Sequence, residues 1–203
     1  MWFQIRFFAL AALFLFASCK QSNEELLDKA YYLSNEKKYD EAIKIYTKVI
    51  ERNDRLQLAY YNRGFAYMAM KEYEKALADF NRVMALQTVG GFTVSYNPNM
   101  PFAGEEVKAG VPYMDALYQA AQVKFHMDSS QSSFKDFQTL VENNYEQKSN
   151  CILWQGTILY SIRKQEKACE YFQRAKAIAV NDDEKNEADL MISTYCNETN
   201  YRK

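Results

Sequence analysis

The chain repeats itself. Ala30, Ala42, Tyr46 and Val49 recur 34 residues later as Gly64, Ala76, Phe80 and Val83 in an identical register. The spacing returns as Gly156, Ala168, Phe172 and Ala175, and more loosely as Ala121, Ser133, Phe137 and Leu140. A period in this range marks a supersecondary unit that cannot bury its apolar face alone and stacks on copies of itself. Composition says which kind of unit. Six Gly and three Pro in 203 residues, well below the roughly 12 % of an average chain, favour helix. Seven of these nine breakers fall within 88–112, so one loop interrupts an otherwise helical chain.

The two remaining glycines, Gly64 and Gly156, occupy the same place in two copies. Glycine inside a helix costs about 1 kcal/mol, so its presence there needs a packing reason. A small residue at Gly64 or Gly156, with another at Ala76 or Ala168, lets two antiparallel helices approach, while Tyr67 or Phe80 fills the space beside the contact. The series Tyr60, Gly64, Tyr67, Ala76, Phe80 and the series Ile152, Gly156, Leu159, Ala168, Phe172 resemble the tetratricopeptide repeat (TPR). The resemblance covers residues 23–56, 57–88, 113–147 and 148–182, with a helix over 183–197 to cap the exposed end. It implies an all-α fold, a right-handed superhelix of about four helical hairpins plus the C-terminal cap. The copies also depart from the pattern. Lys124 and Ser133 stand where an aromatic and Ala are usual, the first copy has Leu26, Lys29 and Leu33 on its first helix, and no copy ends in Pro.

Residues 1–18 read as an address. A single Arg6 precedes an apolar run from Phe7 to Ala17, about half the length that a ~30 Å hydrocarbon core demands, and small residues follow. Phe16-Ala17-Ser18-Cys19 resembles the bacterial lipobox, which implies cleavage before Cys19 and lipidation of that cysteine. The plainer reading is an ordinary secretory signal. Both place the mature chain outside the cytoplasm. Lys20 after the cysteine implies, by the same resemblance, an outer-membrane lipoprotein, either periplasmic or surface-exposed.

On each first helix a stripe runs one residue after the packing stripe: Leu27, Tyr31 and Ser34; Tyr61, Phe65 and Met68; Tyr118, Gln122 and Phe125; Leu153, Thr157 and Tyr160. It should face the concave side. Tyr31, Tyr61, Phe65, Met68, Tyr118, Phe125, Tyr160 and the neighbouring His126, the single histidine, are the candidate peptide groove. The alternative is that stacking buries them as ordinary core. The TPR class that clamps a C-terminal carboxylate needs Lys, Asn and Arg on this stripe, whereas Leu27, Tyr31, Tyr61 and Phe65 stand there. The 88–112 loop, with Phe92, Val94 and Tyr96 alternating after Gly90-Gly91, suggests a short strand and is either a lid over the groove or a tolerated insertion.

With Cys19 acylated, Cys151, Cys169 and Cys196 remain, so at most one pair forms. In an antiparallel stack Cys169 near the start of one helix meets Cys196 near the end of the next, giving a Cys169–Cys196 disulfide; buried free thiols are the alternative. The formal net charge of −1 gives no reason to expect nucleic acid. No HExxH, paired CxxC or Gly-x-Ser-x-Gly is present, so no metal, cofactor or catalytic residue is expected. The expected function is non-catalytic binding of a protein or peptide partner in the bacterial envelope, in an assembly or secretion system, with the membrane reached through the N-terminal lipid. A small-ligand or glycan-binding accessory lipoprotein using the aromatic groove is the alternative.

Overall fold

The computed structural model describes residues 21–87 and 110–196. Cys19, the signal segment and most of the 88–112 loop, including Phe92, Val94 and Tyr96, lie outside the described residues. Among those described, the chain is helical throughout: α1 (Asn23–Asn35), α2 (Tyr39–Arg52), α3 (Gln57–Ala69), α4 (Tyr73–Gln87), α5 (Tyr113–His126), α6 (Ser130–Glu142), α7 (Lys148–Ser161), α8 (Gln165–Ile178) and α9 (Asp182–Tyr195). Each helix packs on the next, including α4 on α5 across the intervening loop. The stack is therefore continuous, as the all-α reading requires. Contacts that skip an element join α1 to α3, α5 to α7 and α7 to α9, so the first helices of the hairpins form the inner layer and α9 extends it. No described helix is long and apolar enough to cross a membrane.

The hairpin turns share one solution. Lys37, Lys71, Asp128 and Arg163, with Asn144 in the α6–α7 turn, adopt positive φ between 54° and 62°. After each hairpin turn the chain bonds back across the helix end, with Lys38 N–H to Leu33 O, Glu72 N–H to Tyr67 O, Ser129 N–H to Lys124 O and Lys164 N–H to Leu159 O at 2.8–2.9 Å. This is the Schellman arrangement, which satisfies carbonyls left over at a helix end and usually recruits Gly. Here non-glycine residues accept the left-handed conformation in all of these turns. The outermost helices carry their own caps instead. Ser22 and Glu25 form a reciprocal capping box on α1, and the Asn181 side chain accepts from Glu184 N–H at the start of α9.

Glycine at the crossing point has the expected consequence. A Cβ at Gly64 would lie 2.8 Å from Phe80 Cε1, and one at Gly156 only 2.5 Å from Phe172 Cε1. Both rings are fully buried, so neither can yield cheaply. The third hairpin accommodates its departures differently. Ser133, buried completely, donates its hydroxyl to Ala121 O at 2.7 Å, which removes the desolvation cost of the replacement. Lys124 forms an ion pair with Asp136, and Arg63 makes a two-pronged pair with Asp79, both bonds 2.8 Å, while also reaching Thr47. Asp79 and Asp136 each sit one residue before the ring that fills the hairpin, Phe80 or Phe137. The carboxylate position is thus shared, and the cation comes from a different turn of the first helix.

Candidate functional site

The four inner helices present the sequence-defined stripe along one layer, and the structure divides it in two. Its N-terminal members, Leu27, Tyr61, Tyr118 and Leu153, are buried, with Tyr61 8 % and Tyr118 7 % exposed. Tyr61 meets Phe65 and Phe80 edge to face at 4.9 and 5.8 Å, and Tyr118 meets Phe137 in the same way at 5.7 Å. Edge-on contact is the favoured geometry for aromatic quadrupoles, so these two tyrosines complete the hairpin cores. They are a floor and not, as the sequence reading had them, groove-facing contacts.

The C-terminal half of the stripe stays accessible. Tyr31 is 42 % exposed, and Phe65, Met68, Phe125 and Tyr160 are half-buried along the same edge. Five partly exposed apolar side chains on the same stripe of four helices are thus the wall of the candidate groove, with the Tyr160 ring packed against Tyr195 at 4.4 Å. His126 is exposed at its margin, its imidazole stacked parallel on Tyr73 at 5.2 Å and edge-on to Trp154 at 6.4 Å. Trp154 in turn stacks on Phe137 at 5.8 Å and meets Phe125 edge-on at 5.7 Å. One indole face is therefore covered by Phe137, which leaves less platform for a sugar ring than a freely exposed tryptophan would offer.

Sequence reading missed Tyr73, Trp154, Asp115 and Tyr145. Asp115 was within reach of it, because it lies on the same face as Tyr118, Gln122 and Phe125, one turn toward the helix start. Tyr145, in the turn after α6, donates its hydroxyl to Asp115 Oδ1 at 2.8 Å, and its ring lies 5.7 Å from that of Tyr118. Burial raises the Asp115 carboxyl above its ordinary value despite the hydroxyl donated by Tyr145, and Glu146 pushes it the same way. Burial also raises the Tyr118 hydroxyl to about 12. Asp115 meets no cation within ion-pair distance among the described residues, whereas Arg63 and Lys124 are both spent on second-helix aspartates.

Cys169 and Cys196 are joined, their Cα atoms 5.7 Å apart, which ties α8 to the end of α9. Cys151 is a buried free thiol whose pKa burial pushes up to about 12. No three of the described His, Cys, Asp and Glu side chains converge as a group that could hold a metal ion.

Tetratricopeptide-repeat family profiles match residues 26–55 and 58–87. Among solved structures the chain is similar to YrrB, described as a TPR protein with an unusual peptide-binding site, at 17 % identity over 91 % of this chain and 83 % of that one, with a TM-score of 0.56. It is also similar to MamA of Desulfovibrio magneticus RS-1, at 16 % identity over 78 % and 76 % of the two chains, with a TM-score of 0.61. A third similar structure is the first TPR of Spaghetti bound to the HSP90 peptide SRMEEVD, at 22 % identity over 70 % of this chain and 95 % of that one, with a TM-score of 0.51. Residues 26–55 and 58–87 carry tetratricopeptide repeats, and the helix pairs over residues 113–178 continue the same stacked fold.

Proposed function

We propose that this TPR solenoid is a non-catalytic scaffold that binds an apolar peptide segment, anchored by lipid on Cys19 at the bacterial envelope as an accessory subunit of an assembly or secretion system. The observation that carries the binding reading is the wall formed by Tyr31, Phe65, Met68, Phe125 and Tyr160. Its side chains are set on rigid helices, so little ordering entropy is lost when a peptide docks. YrrB and Spaghetti, which share the fold, are each described with a peptide site or a bound peptide. TPR proteins are in general scaffolds without catalysis, in keeping with the lack of a nucleophile paired with a base in the sequence.

Envelope placement rests on Phe16-Ala17-Ser18-Cys19 and on the apolar run before it. The Cys169–Cys196 bond supports it, because such bonds persist in oxidising compartments. The acidic-tail clamp is disfavoured by Leu27, Tyr31, Tyr61 and Phe65, and contact with the apolar wall itself should depend little on salt.

The test is affinity capture from membranes with the lipidated chain and with the wall variants Tyr31→Lys and Met68→Lys. Loss of one reproducible partner from both variants, each still helical by circular dichroism, is expected, with an unchanged melting temperature for Tyr31→Lys and a lowered one for Met68→Lys, which packs against the core. Retention of that partner by both would show that the wall is not the binding face. Separately, Cys19→Ser should move the chain from the membrane to the soluble fraction, and a variant still held by membranes would refute the lipid anchor.

A further inference from the structure

Among the described residues, the inner layer has the apolar wall at one end and the half-buried carboxylate of Asp115 near the other. Asp115 begins the α5 stripe that continues through Tyr118 and Gln122 to Phe125. One of its oxygens accepts from Tyr145, and no cation of the described residues pairs with it. Gln122, between the acid and the wall, is half-exposed on this face. The stripe itself carries no Lys or Arg, and Arg63 and Lys124, which lie on other faces of their helices, are engaged with aspartates of the second helices. Glu146 beside Tyr145 adds a further negative charge.

We infer that the groove selects a peptide with one basic residue, Lys or Arg, seated on the half-buried carboxylate of Asp115, which the buried Tyr145 holds in place, and an apolar residue against Phe125 and its neighbours on the wall. The inference rests on the peptide-binding reading above and specifies its partner by charge. From Asp115 to Phe125 is ten residues of helix, about 15 Å at 1.5 Å per residue. An extended peptide covers that length in roughly four to five residues at 3.3–3.6 Å each, which fixes the spacing between the basic and apolar positions. The amide of Gln122 lies where it would meet the peptide backbone between them. A cation seated at Asp115 offsets the cost of holding a carboxylate partly out of water, and an acidic residue there would meet repulsion from both Asp115 and Glu146.

Asp115 also lies in the first turn of α5, where negative charge favours the helix, so stability alone does not distinguish the two roles. The test therefore reads selectivity. The mature chain and its Asp115→Asn variant, which keeps an acceptor for Tyr145, are each panned against a random dodecapeptide phage library. The native chain should enrich Lys or Arg four to five positions from an apolar residue, and the variant should lose that enrichment while still selecting the apolar residue. For the best peptide, replacing its basic residue by Gln should weaken binding to the native chain about tenfold and leave binding to Asp115→Asn nearly unchanged, the signature of a direct pair. Selection without a basic preference, or the same preference against the variant, overturns the inference while leaving the apolar groove intact. A library that yields no binder to either chain refutes the groove itself, and the inference with it.

Discussion

The second and fourth hairpins are built on the same lock and are secured by different means. In both, glycine on the first helix lies under a fully buried phenylalanine of the second: Gly64 under Phe80, Gly156 under Phe172. Around that lock the second hairpin uses charge. Arg63, 16 % exposed, grips Asp79, 7 % exposed, and lies near the rings of Tyr60 and Tyr67 at 5.6 and 5.7 Å. The fourth hairpin uses neutral groups: Gln155 is buried at the register place of Arg63, among Cys151, Ile152, Ile158 and Leu159, and a covalent bond holds the hairpin to α9. The lock sets how closely the two helices approach, and the residues around it are free to use whichever chemistry their neighbours offer. Position in the stack accounts for the contrast. The second hairpin has helices on both sides, whereas the fourth is followed only by α9, which has a single buried residue, Ala188, to hold it in place.

If the locks are equivalent, Phe80→Ala and Phe172→Ala should each cost about 3–5 kcal/mol, because each empties a site that the facing glycine cannot refill. Urea unfolding of both variants would show it, and a cost confined to one hairpin would mean that the shared register hides unequal packing. The different fastenings give the next largest effects. Asp79→Ala strands a half-buried guanidinium and should cost about 3 kcal/mol, and reduction of Cys169–Cys196, separated by 27 residues, should cost a similar ~3 kcal/mol. The two sites do not share a contact, so the effects should add in the reduced variant, and a shortfall beyond about 0.5 kcal/mol would reveal coupling along the stack.

Smaller effects follow at the glycines and the turns. Gly156→Ala gains about 1 kcal/mol of helix propensity but overpacks Phe172, at about 1–3 kcal/mol, and so should be net destabilising. Gly64→Ala, with the longer 2.8 Å approach, should cost less, and thermal melts of the pair give the order. The turns should move the other way. Lys71→Gly and Arg163→Gly relieve a left-handed conformation at positive φ and should be neutral to stabilising, by up to about 1 kcal/mol, despite the added freedom of the unfolded chain. A loss at either position would mean that the side chain makes a contact worth more than the strain.

Much of the architecture was legible in the sequence because the repeat is written in residue size. Gly64 and Gly156 can be paired with their rings, Phe80 and Phe172, from spacing alone. A helical glycine is costly, and its recurrence at a fixed distance before an aromatic residue points to close approach of the two helices. The turns were less legible. Lys37, Lys71, Asp128 and Arg163 carry no glycine signal, and their conformation is imposed by the helices they join. The groove was only half legible, because periodicity gives the face of a helix and not its depth. Tyr61 and Phe65 fall on the same stripe, yet one is floor and the other wall.

The sequence by itself thus determined an all-helical stack of repeated hairpins, the crossing points within them, and the side of each first helix that faces inward. These follow from spacing and side-chain volume, which act between near neighbours in the chain. Tertiary structure alone decided which end of that inner face stays open, that Asp115 and Tyr145 meet across α5 and the turn after α6, and that Arg63 and Lys124 pair with aspartates of the second helices. Those outcomes depend on how neighbouring helices lie against one another. Burial and pairing are properties of that arrangement, and a one-dimensional pattern does not carry it.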